Sequence, residues 1–329
     1  MSPPLLVGLR ALKLGDLCAA VPAWRALRRT HPEHRTVLAA PAWQRPLADL
    51  CPAIDELVDV GELRALAPAL HGADLAVNLH GRGPESSRLL AASAPGRLVA
   101  FEHPDVPATA GGPRWDPDEH EVRRWLRLVD AAGGSDAAPP TTELDAGELA
   151  LDRPAVPPRV ADATIVHPGA SSGARRWPTS RWASVARALS VDGHRVVVTG
   201  TAGEAALAEA VASGAGLPAG SVVAGRTELA ELAALVADAR LVLCGDTGIA
   251  HLASAYATPS VVLFGPTAPA TWGPPADGPH QVLWAGRTGD PHADHPHEGL
   301  LAIAVGDVLA ATERLVAPER LAATPAPSP

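Results

Sequence analysis

Residues 241–267 read LVLCGDTGIAHLASAYATPSVVLFGPT, and this stretch indicates the fold class of the whole chain. Its apolar runs at 241–244 and 260–264 have the length of buried strands. The segment between them, 249–256, has helical period and follows a tight turn. A strand, a helix and a second parallel strand form the repeating unit of doubly wound α/β sheets, so we expect this architecture.

The same alternation of strands and helices runs through both halves of the chain. In the first half, strands are predicted at 5–9, 36–40, 56–60, 74–79 and 97–101. In the second half, strands are predicted at 164–167, 195–199, 221–224, 241–244, 260–264 and 281–284, and helices at 179–190, 203–213, 228–239, 249–256 and 306–315. The prediction is an α/β protein with two doubly wound, Rossmann-like domains.

A segment rich in Pro, Gly and Ala separates the two halves, and we interpret residues 136–162 as a linker. The expected organisation is an N-terminal domain at 1–135, a C-terminal domain at 163–305, a last helix at 306–322 and a disordered tail at 323–329. Such domains bind ligands at the carboxyl ends of their strands, so we expect the domains to face each other across a ligand-binding cleft.

Composition argues against several classes of protein. The chain has 329 residues, 27 Lys plus Arg against 36 Asp plus Glu, and a net charge of -9 without a basic stripe, so nucleic-acid binding is not expected. Its apolar runs are too short to span a membrane, which leaves only peripheral membrane contact open. Three widely spaced cysteines, Cys18, Cys51 and Cys244, without a signal peptide indicate reduced thiols in the cytoplasm. We take a monomer as the default.

Two familiar nucleotide-binding fingerprints do not occur in the sequence. The first predicted strand is not followed by G-x-G-x-x-G, and the chain has no G-x-x-x-x-G-K-[ST]. Dehydrogenase and P-loop interpretations are therefore not favoured.

Two segments in the second half could bind a phosphate group. Asp246, Thr247 and Gly248 open the predicted helix that carries His251, and the free N–H groups and dipole of a helix start favour an anion. Residues 167–178, HPGASSGARRWP, combine small residues with a basic pair, which suits a pyrophosphate. Simple helix capping and an ordinary polar loop are the respective alternatives.

A third segment, residues 10–16 (RALKLGD), joins the first strand to a predicted helix. That helix places Leu17, Val21, Trp24 and Leu27 on one face, with Pro22 expected to kink it or to mark its first regular turn. Asp16 could act as a general base on a hydroxyl group, and the alternative is that it caps the helix.

Taken together, the three segments resemble glycosyltransferase family 9, the heptosyltransferases. The L-G-D opening, the P-G-A with a basic pair before Trp177-Pro178, and D-T-G-x-x-H followed by F-G-P-T occur in the family's order. The resemblance covers nearly the whole chain. It implies the GT-B fold and an inverting, metal-independent transferase that moves a sugar, typically heptose, from a nucleoside diphosphate, typically ADP, to an acceptor hydroxyl.

The resemblance also implies roles for single residues. Asp16 matches the family's catalytic aspartate, and Arg175 stands where the family usually has a Lys that contacts the donor phosphates. The implied donor-binding residues are Gly169, Ser171, Ser172, Arg175, Glu204, Thr227, Asp246, Thr247, Gly248 and His251.

Acceptor recognition is less clearly indicated. The family's first loop commonly has a Ser where this chain has Leu12, which is followed by Lys13. We expect Lys13 to contact the acceptor together with residues of the polar stretch 78–88, namely His80, Arg82, Ser86 and Arg88. A solvated polar loop explains that stretch nearly as well. The acceptor stays open among the lipopolysaccharide core, another cell-surface glycan and a metabolite.

Metal sites and other functions are the remaining alternatives. Residues 290–298, DPHADHPHE, contain three histidines that could bind zinc or nickel, and residues 116–118 spell D-x-D. We nevertheless expect no metal and no cofactor, because the donor sugar nucleotide is a substrate. The alternative functions are another GT-B nucleotide-sugar enzyme, such as an epimerase, and a non-catalytic nucleotide-sugar binder.

Overall fold

The structure is a computed structural model that describes residues 2–61, 63, 65–133 and 145–322. It divides into two compact units, Met1–Pro154 (unit 1) and Ala155–Pro329 (unit 2). The division falls inside the predicted linker at 136–162. Residues 136–144 of that linker and the predicted tail at 323–329 lie outside the described residues.

Unit 1 is built on a five-stranded parallel sheet with the order β3-β2-β1-β4-β5. Its strands are β1 (Leu5–Leu9), β2 (Arg35–Ala40), β3 (Glu56–Asp59), β4 (Leu75–Asn78) and β5 (Arg97–Val99). Its helices are α1 (Leu14–Thr30), α2 (Arg45–Ala48), α3 (Glu85–Ala92) and α4 (Glu121–Gly133). All the strands predicted for the first half are present, with ends that differ by up to two residues.

The packing of α1 on β1 places the loop between them at the carboxyl end of the central strand. The predicted apolar face of α1 is buried, and Trp24 on that face has no exposed surface. A Cβ atom on Gly8 would lie only 2.3 Å from the Trp24 ring, so glycine allows the helix to pack closely on the central strand. Pro22 lies inside the helix.

Unit 2 is built on a second five-stranded parallel sheet, with the order β10-β9-β8-β6-β7. Its strands are β6 (Thr164–His167), β7 (Val196–Val198), β8 (Leu241–Gly245), β9 (Ser260–Phe264) and β10 (His280–Trp284). Its helices are α5 (Thr179–Val191), α6 (Ala205–Ala215), α7 (Leu229–Ala237), α8 (Gly248–Ala255), α9 (Pro269–Trp272), α10 (Glu298–Leu301) and α11 (Val305–Ala322). Strands β8 and β9 are buried at every residue, as expected for a parallel sheet covered on both faces.

The predicted strand at 221–224 is wrong. The chain there forms only an isolated bridge, between Val222 and Val198 of β7. Gly220 and Gly225, on either side, have φ angles of 90° and 68°, which turn the chain out of the extended direction. The apolar residues 221–224 therefore contribute one bridge beside β7 and do not form a strand.

Two tryptophans fix the start of α5 in unit 2. Trp177 and Trp182 pack edge to face with ring centroids 4.9 Å apart, and Trp177 Nε1 donates a hydrogen bond to the carbonyl of Ile303 at 3.1 Å. Both rings are at most 2% exposed. The loop that precedes Trp177 therefore has a rigid attachment at its end.

The three cysteines are free and buried. Burial raises the pKa of the Cys18 thiol to about 12, so this group stays neutral. No helix among the described residues is long and apolar enough to cross a membrane.

Candidate active site

Polar groups of unit 1 gather where β1 and β4 end. These strands are neighbours, with Leu9 opposite Asn78, so the segments that follow them meet at one edge of the sheet. The contact is direct, because the backbone N–H of Ala11 donates to Nδ1 of His80 at 3.2 Å. The structure thus brings His80 to the loop that carries Asp16.

Asp16 lies in the first turn of α1, and Lys13 is the residue before the helix. Oδ2 of Asp16 accepts a hydrogen bond from the Lys13 N–H at 3.1 Å, and Oδ1 of Asp16 is 3.6 Å from Nη2 of Arg10. Asp16 is therefore not the N-cap residue, although it helps to close the first turn. Its side chain is 22% exposed, which leaves the carboxylate accessible for proton transfer.

Arg10 stabilises the loop that carries Asp16. Its side chain is fully buried, and its guanidinium donates hydrogen bonds to the backbone carbonyls of Asp16 and Leu79. It also donates to Oε1 of Glu121 at 3.1 Å and lies 4.6 Å from the ring of Trp125. Arg10 thus ties the first loop, the end of β4 and helix α4 together.

Glu121 is the centre of a buried ionic network on α4. Its Oε2 binds the guanidinium of Arg124, and its Oε1 accepts a hydrogen bond from Trp125 Nε1 at 2.8 Å. Arg124 in turn lies 4.2 Å from the ring of Trp115. Buried charges need such partners, because an unpaired ion away from water is costly.

Our sequence analysis missed this network, although a signal was present. Glu121, Arg124 and Trp125 share a helix face with Leu128, at spacings of three, four and seven residues. All four residues are buried in α4. A Glu and an Arg on the apolar face of a helix indicate a buried ion pair, and only the fold shows that the pair extends to Arg10.

His80 is a neutral side chain in this environment. Burial, followed by the charge of Arg10, lowers its pKa to about 4, while the nearby Asp16 acts in the opposite direction. Because Nδ1 accepts the hydrogen bond from Ala11, the neutral ring carries its proton on Nε2. His80 can therefore donate one hydrogen bond at neutral pH.

The other predicted acceptor residues differ in their surroundings. Lys13, Arg82 and Arg88 are exposed. Ser86 is buried, and Nδ2 of Asn78 donates to its hydroxyl at 3.0 Å, so the expectation that Ser86 contacts an acceptor is wrong. Its hydroxyl stabilises the interior of unit 1 instead.

In unit 2, the loops after β6 and β8 meet because these strands are neighbours, with His167 opposite Cys244. Nη1 of Arg175 lies 3.8 Å from Oδ2 of Asp246, which is 5% exposed. The Arg175 side chain is 25% exposed, so its guanidinium combines a fixed orientation with access to solvent.

Helix α8 begins beside this ion pair. Thr247 is the residue before the helix, and it forms no side-chain cap. The Ala250 N–H donates to the carbonyl of Thr247 at 3.0 Å, so the N–H groups of Gly248 and Ile249 are the ones suited to bind an anion. Together with Arg175 these N–H groups suit a phosphate group, and donor binding by these residues stays a prediction.

Two further predicted donor residues, Gly169 and Glu204, lie against each other. A Cβ atom on residue 169 would fall 2.2 Å from Oε1 of Glu204, so a larger residue at 169 would require the Glu204 side chain to move. The other carboxylate oxygen of Glu204 accepts hydrogen bonds from the N–H and hydroxyl of Thr201, at 2.8 and 2.9 Å. The structure therefore holds one Glu204 oxygen in a turn and the other against the β6 loop.

The remaining predicted donor residues occupy different positions. His251 packs edge to face on Trp272 of α9, with ring centroids 5.5 Å apart. Thr227 is half-buried, just before α7. Ser171 is exposed.

Residues 290–297 pack directly on the β6 loop, a contact that our sequence analysis did not predict. The Ser172 hydroxyl donates to the carbonyl of Pro291 at 2.5 Å, and the N–H of Ala174 donates to the carbonyl of Ala293 at 2.8 Å. A Cβ atom on Gly173 would lie 1.7 Å from the carbonyl oxygen of Asp294. The segment, here named the 290–297 strap, fixes the loop that carries Arg175.

The metal hypotheses find no matching geometry. Among the described residues, no group of three His, Cys, Asp or Glu side chains is placed to hold a metal ion. His297 instead caps α10, since its Nδ1 accepts a hydrogen bond from the Gly299 N–H at 3.1 Å. In the D-x-D stretch, Asp116 accepts a hydrogen bond from the N–H of Asp118 at 3.0 Å, which forms a turn.

A comparison with known protein families identifies the family of this chain. The sequence profile described as "Glycosyltransferase family 9 (heptosyltransferase)" matches residues 113–294, more than half of the chain. A search of curated protein sequences finds no match.

Solved structures show the same fold over nearly the whole chain. The E. coli ADP-heptose lipopolysaccharide heptosyltransferase II is 22% identical, with a TM-score of 0.74, covering 96% of this chain and 99% of that one. A glycosyl transferase family 9 protein from Veillonella parvula is 19% identical, with a TM-score of 0.75 and coverages of 97% and 99%. The E. coli heptosyltransferase WaaC with ADP is 18% identical, with a TM-score of 0.72 and coverages of 94% and 99%. The two parallel-sheet units therefore have the GT-B fold.

Proposed function

The chain belongs to glycosyltransferase family 9, and we propose that it transfers a sugar from an ADP-linked donor to a hydroxyl group of a glycan, glycolipid or metabolite. Heptose is the first candidate for the sugar, because two of the similar solved structures are named heptosyltransferases and one of those names includes ADP-heptose. The observation that carries the proposal is the phosphate-type site formed by Arg175 and the start of α8.

The donor diphosphate is assigned to this site in unit 2. Arg175 supplies a positive charge, Asp246 orients it from 3.8 Å, and the uncapped first turn of α8 supplies N–H donors. As the bond between the anomeric carbon and the diphosphate breaks, negative charge grows on the leaving oxygen. The same groups then bind that charge more strongly than they bind the intact donor, which lowers the barrier.

The acceptor chemistry is assigned to Asp16 in unit 1. Its carboxylate takes the proton from the acceptor hydroxyl as that oxygen attacks the anomeric carbon. Neutral His80, with its proton on Nε2, is proposed to donate a hydrogen bond to an acceptor oxygen, and exposed Lys13 and Arg82 to bind acidic groups. Direct displacement by the acceptor inverts the configuration of the sugar.

We also propose that the reaction needs no metal ion, because Arg175 and the α8 N–H groups neutralise the leaving diphosphate in this scheme. The free, buried thiols support a proposed location in a reducing compartment such as the cytoplasm.

Ligand-induced stabilisation tests the donor assignment. We expect ADP and ADP-heptose to raise the midpoint of thermal unfolding in the presence of EDTA, since binding at 100 times Kd adds about 2.7 kcal/mol. The variant Arg175→Ala should lose most of this shift. The control Arg159→Ala, which removes a surface arginine 3.9 Å from Glu231, should keep it. An equal shift in Arg175→Ala, or a shift that requires a metal, would contradict the assignment.

A further inference from the structure

One nitrogen atom of Arg10 faces two carboxylates. Nη2 lies 3.1 Å from Oε1 of Glu121 and 3.6 Å from Oδ1 of Asp16. The other guanidinium nitrogens donate to the backbone carbonyls of Asp16 and Leu79. Arg10 therefore has a short ion pair with Glu121 and a longer one with the carboxylate that the proposed function uses as a base.

We propose that Glu121 is a positioning residue for catalysis: it balances the charge of Arg10, so that Arg10 holds the Asp16 loop in place without suppressing the basicity of Asp16. This inference rests on the proposed function, in which Asp16 accepts the acceptor proton. It assigns a role to a residue of α4 that acts through Arg10.

The distribution of charge explains why the balance matters. Arg10 is fully buried and Glu121 is 5% exposed, so their interaction is less screened than an ion pair at the surface. Without the Glu121 carboxylate, Asp16 would be the one carboxylate paired with the charge of Arg10 in this group. The ionised form of Asp16 would then be stabilised, and the carboxylate would take a proton less readily.

The geometry of Glu121 is fixed on both sides. Trp125 donates to the same Oε1 that binds Arg10, and Arg124 binds Oε2. Arg124 also donates to the backbone carbonyl of Glu119 at 2.8 Å, which fixes its guanidinium beside Glu121. The carboxylate of Glu121 thus binds Arg10 through Oε1 and Arg124 through Oε2.

The other titratable groups near Asp16 add little charge at neutral pH. Burial and Arg10 lower the pKa of His80 to about 4, so this ring is neutral. Burial raises the pKa of Cys18 on α1 to about 12, so this thiol is also neutral. The Lys13 side chain is exposed, and its backbone N–H is the group that binds Asp16. Arg10, Glu121 and Arg124 therefore set the electrostatic balance.

Two substitutions with opposite expected effects test the inference. Glu121→Gln removes the balancing charge, so we expect kcat to fall on the order of 10-fold and the acid side of the kcat profile to move to lower pH. Arg124→Gln leaves Glu121 free to balance Arg10 more fully, so the acid side should move to higher pH. The donor KM and the stabilisation by ADP should be unchanged in both variants, since the donor residues lie in unit 2.

Glu119→Gln is the matched control. Glu119 pairs with Arg127 at 2.6 Å, on the segment that leads into α4, and this pair does not include Arg10. The inference is overturned if Glu121→Gln leaves the pH profile of kcat unchanged, or if Glu121→Gln and Arg124→Gln move that profile in the same direction. It is also overturned if Glu119→Gln moves the profile as far as Glu121→Gln does. Should Glu121→Gln fail to fold, a profile of Arg124→Gln that does not move to higher pH overturns it alone.

Asp16→Asn in the same assay separates this inference from the proposed function. Full transfer by Asp16→Asn would show that Asp16 is not the base, so the proposed function would fail first. Loss of transfer in Asp16→Asn together with an unchanged pH profile in Glu121→Gln would remove only the role of Glu121.

Discussion

Asp16 combines two properties that a general base needs. Its carboxylate is held by the Lys13 N–H at 3.1 Å and by Arg10 at 3.6 Å, yet 22% of the side chain is exposed. A fully buried carboxylate would be inaccessible to a hydroxyl group, and a fully exposed one would lack a fixed direction. The residue therefore has both orientation and access.

Replacement of this carboxylate should affect chemistry far more than folding. In Asp16→Asn, the amide oxygen can still accept the hydrogen bond from Lys13, so we expect nearly unchanged thermal stability. Transfer should fall by about 100-fold or more, because the amide cannot take a proton. Steady-state transfer assays with a panel of acceptors measure the loss, and ADP titration should show unchanged donor binding.

Asp59→Asn provides the control for this change. Asp59 ends β3 of the same sheet, and its Oδ1 accepts hydrogen bonds from the N–H groups of Ala42 and Gly61 at 3.1 and 3.0 Å. Asp59→Asn makes the same chemical change at a backbone-binding aspartate on β3, which is separated from β1 by β2 in the sheet. A comparable loss of transfer in this variant would show that the effect of Asp16→Asn is not specific.

At the level of elements, the 290–297 strap determines the conformation of the loop that carries Arg175. Backbone atoms make two of the hydrogen bonds: the Ala174 N–H donates to the carbonyl of Ala293 at 2.8 Å, and the His297 N–H donates to the carbonyl of Ala174 at 3.2 Å. Such a contact cannot adjust by a change of rotamer. The close approach requires a residue without a side chain at position 173.

The variant Gly173→Ala should therefore disturb the donor site. Its Cβ would lie 1.7 Å from the Asp294 carbonyl, so the loop or the strap must move, at a cost of about 1–3 kcal/mol. We expect a lower midpoint of thermal unfolding and weaker ADP binding, because Arg175 is two residues away. Gly306→Ala on α11 is the control, since a Cβ atom at that position would have no neighbouring atom within 4 Å. Equal ADP binding by Gly173→Ala and the native protein would show that the strap does not support the donor loop.

Periodicity predicted most elements because it reports burial, and the parallel sheets bury whole strands. It could not separate a strand from an apolar turn at 221–224, where pairing depends on the glycines at both ends. The order of the strands also places residues 10–16 beside residue 80, and residue 175 beside residue 246. Local motifs predicted the members of these groups, but the contacts depend on the neighbours of each strand.

Contacts between distant segments were beyond the reach of local patterns. The composition of residues 290–298, rich in His and Asp, suggested a metal site only as an alternative, whereas the backbone of the 290–297 strap contacts the β6 loop. Glu121 lies 111 residues from Arg10 in sequence. A single sequence gives no measure of such a distance, although the charged residues on the apolar face of α4 indicate that a partner exists.

At the scale of the whole molecule, half-buried histidines that are neutral in the folded state link stability to pH. Burial is the largest cause that lowers the pKa of His31 and His80 in unit 1 and of His167 and His280 in unit 2. The values for His80 and His280 are about 4, against about 6.5 for the unfolded chain. Between these two values the unfolded state binds more protons than the folded state, so stability rises with pH and falls on acidification.

We therefore expect the midpoint of thermal unfolding to fall as the pH is lowered from about 6.5 to about 4, the interval between the unfolded and folded pKa values. His280→Gln should reduce this dependence, because it removes one group that must stay neutral in the folded state; His280 is the better test since it lies outside the proposed site and pairs with Ser260 at 2.9 Å. His71→Gln, at an exposed position, controls for the loss of a histidine as such. An unfolding midpoint that stays constant over this interval, or that rises on acidification, would contradict the assignment of these histidines as neutral in the folded protein.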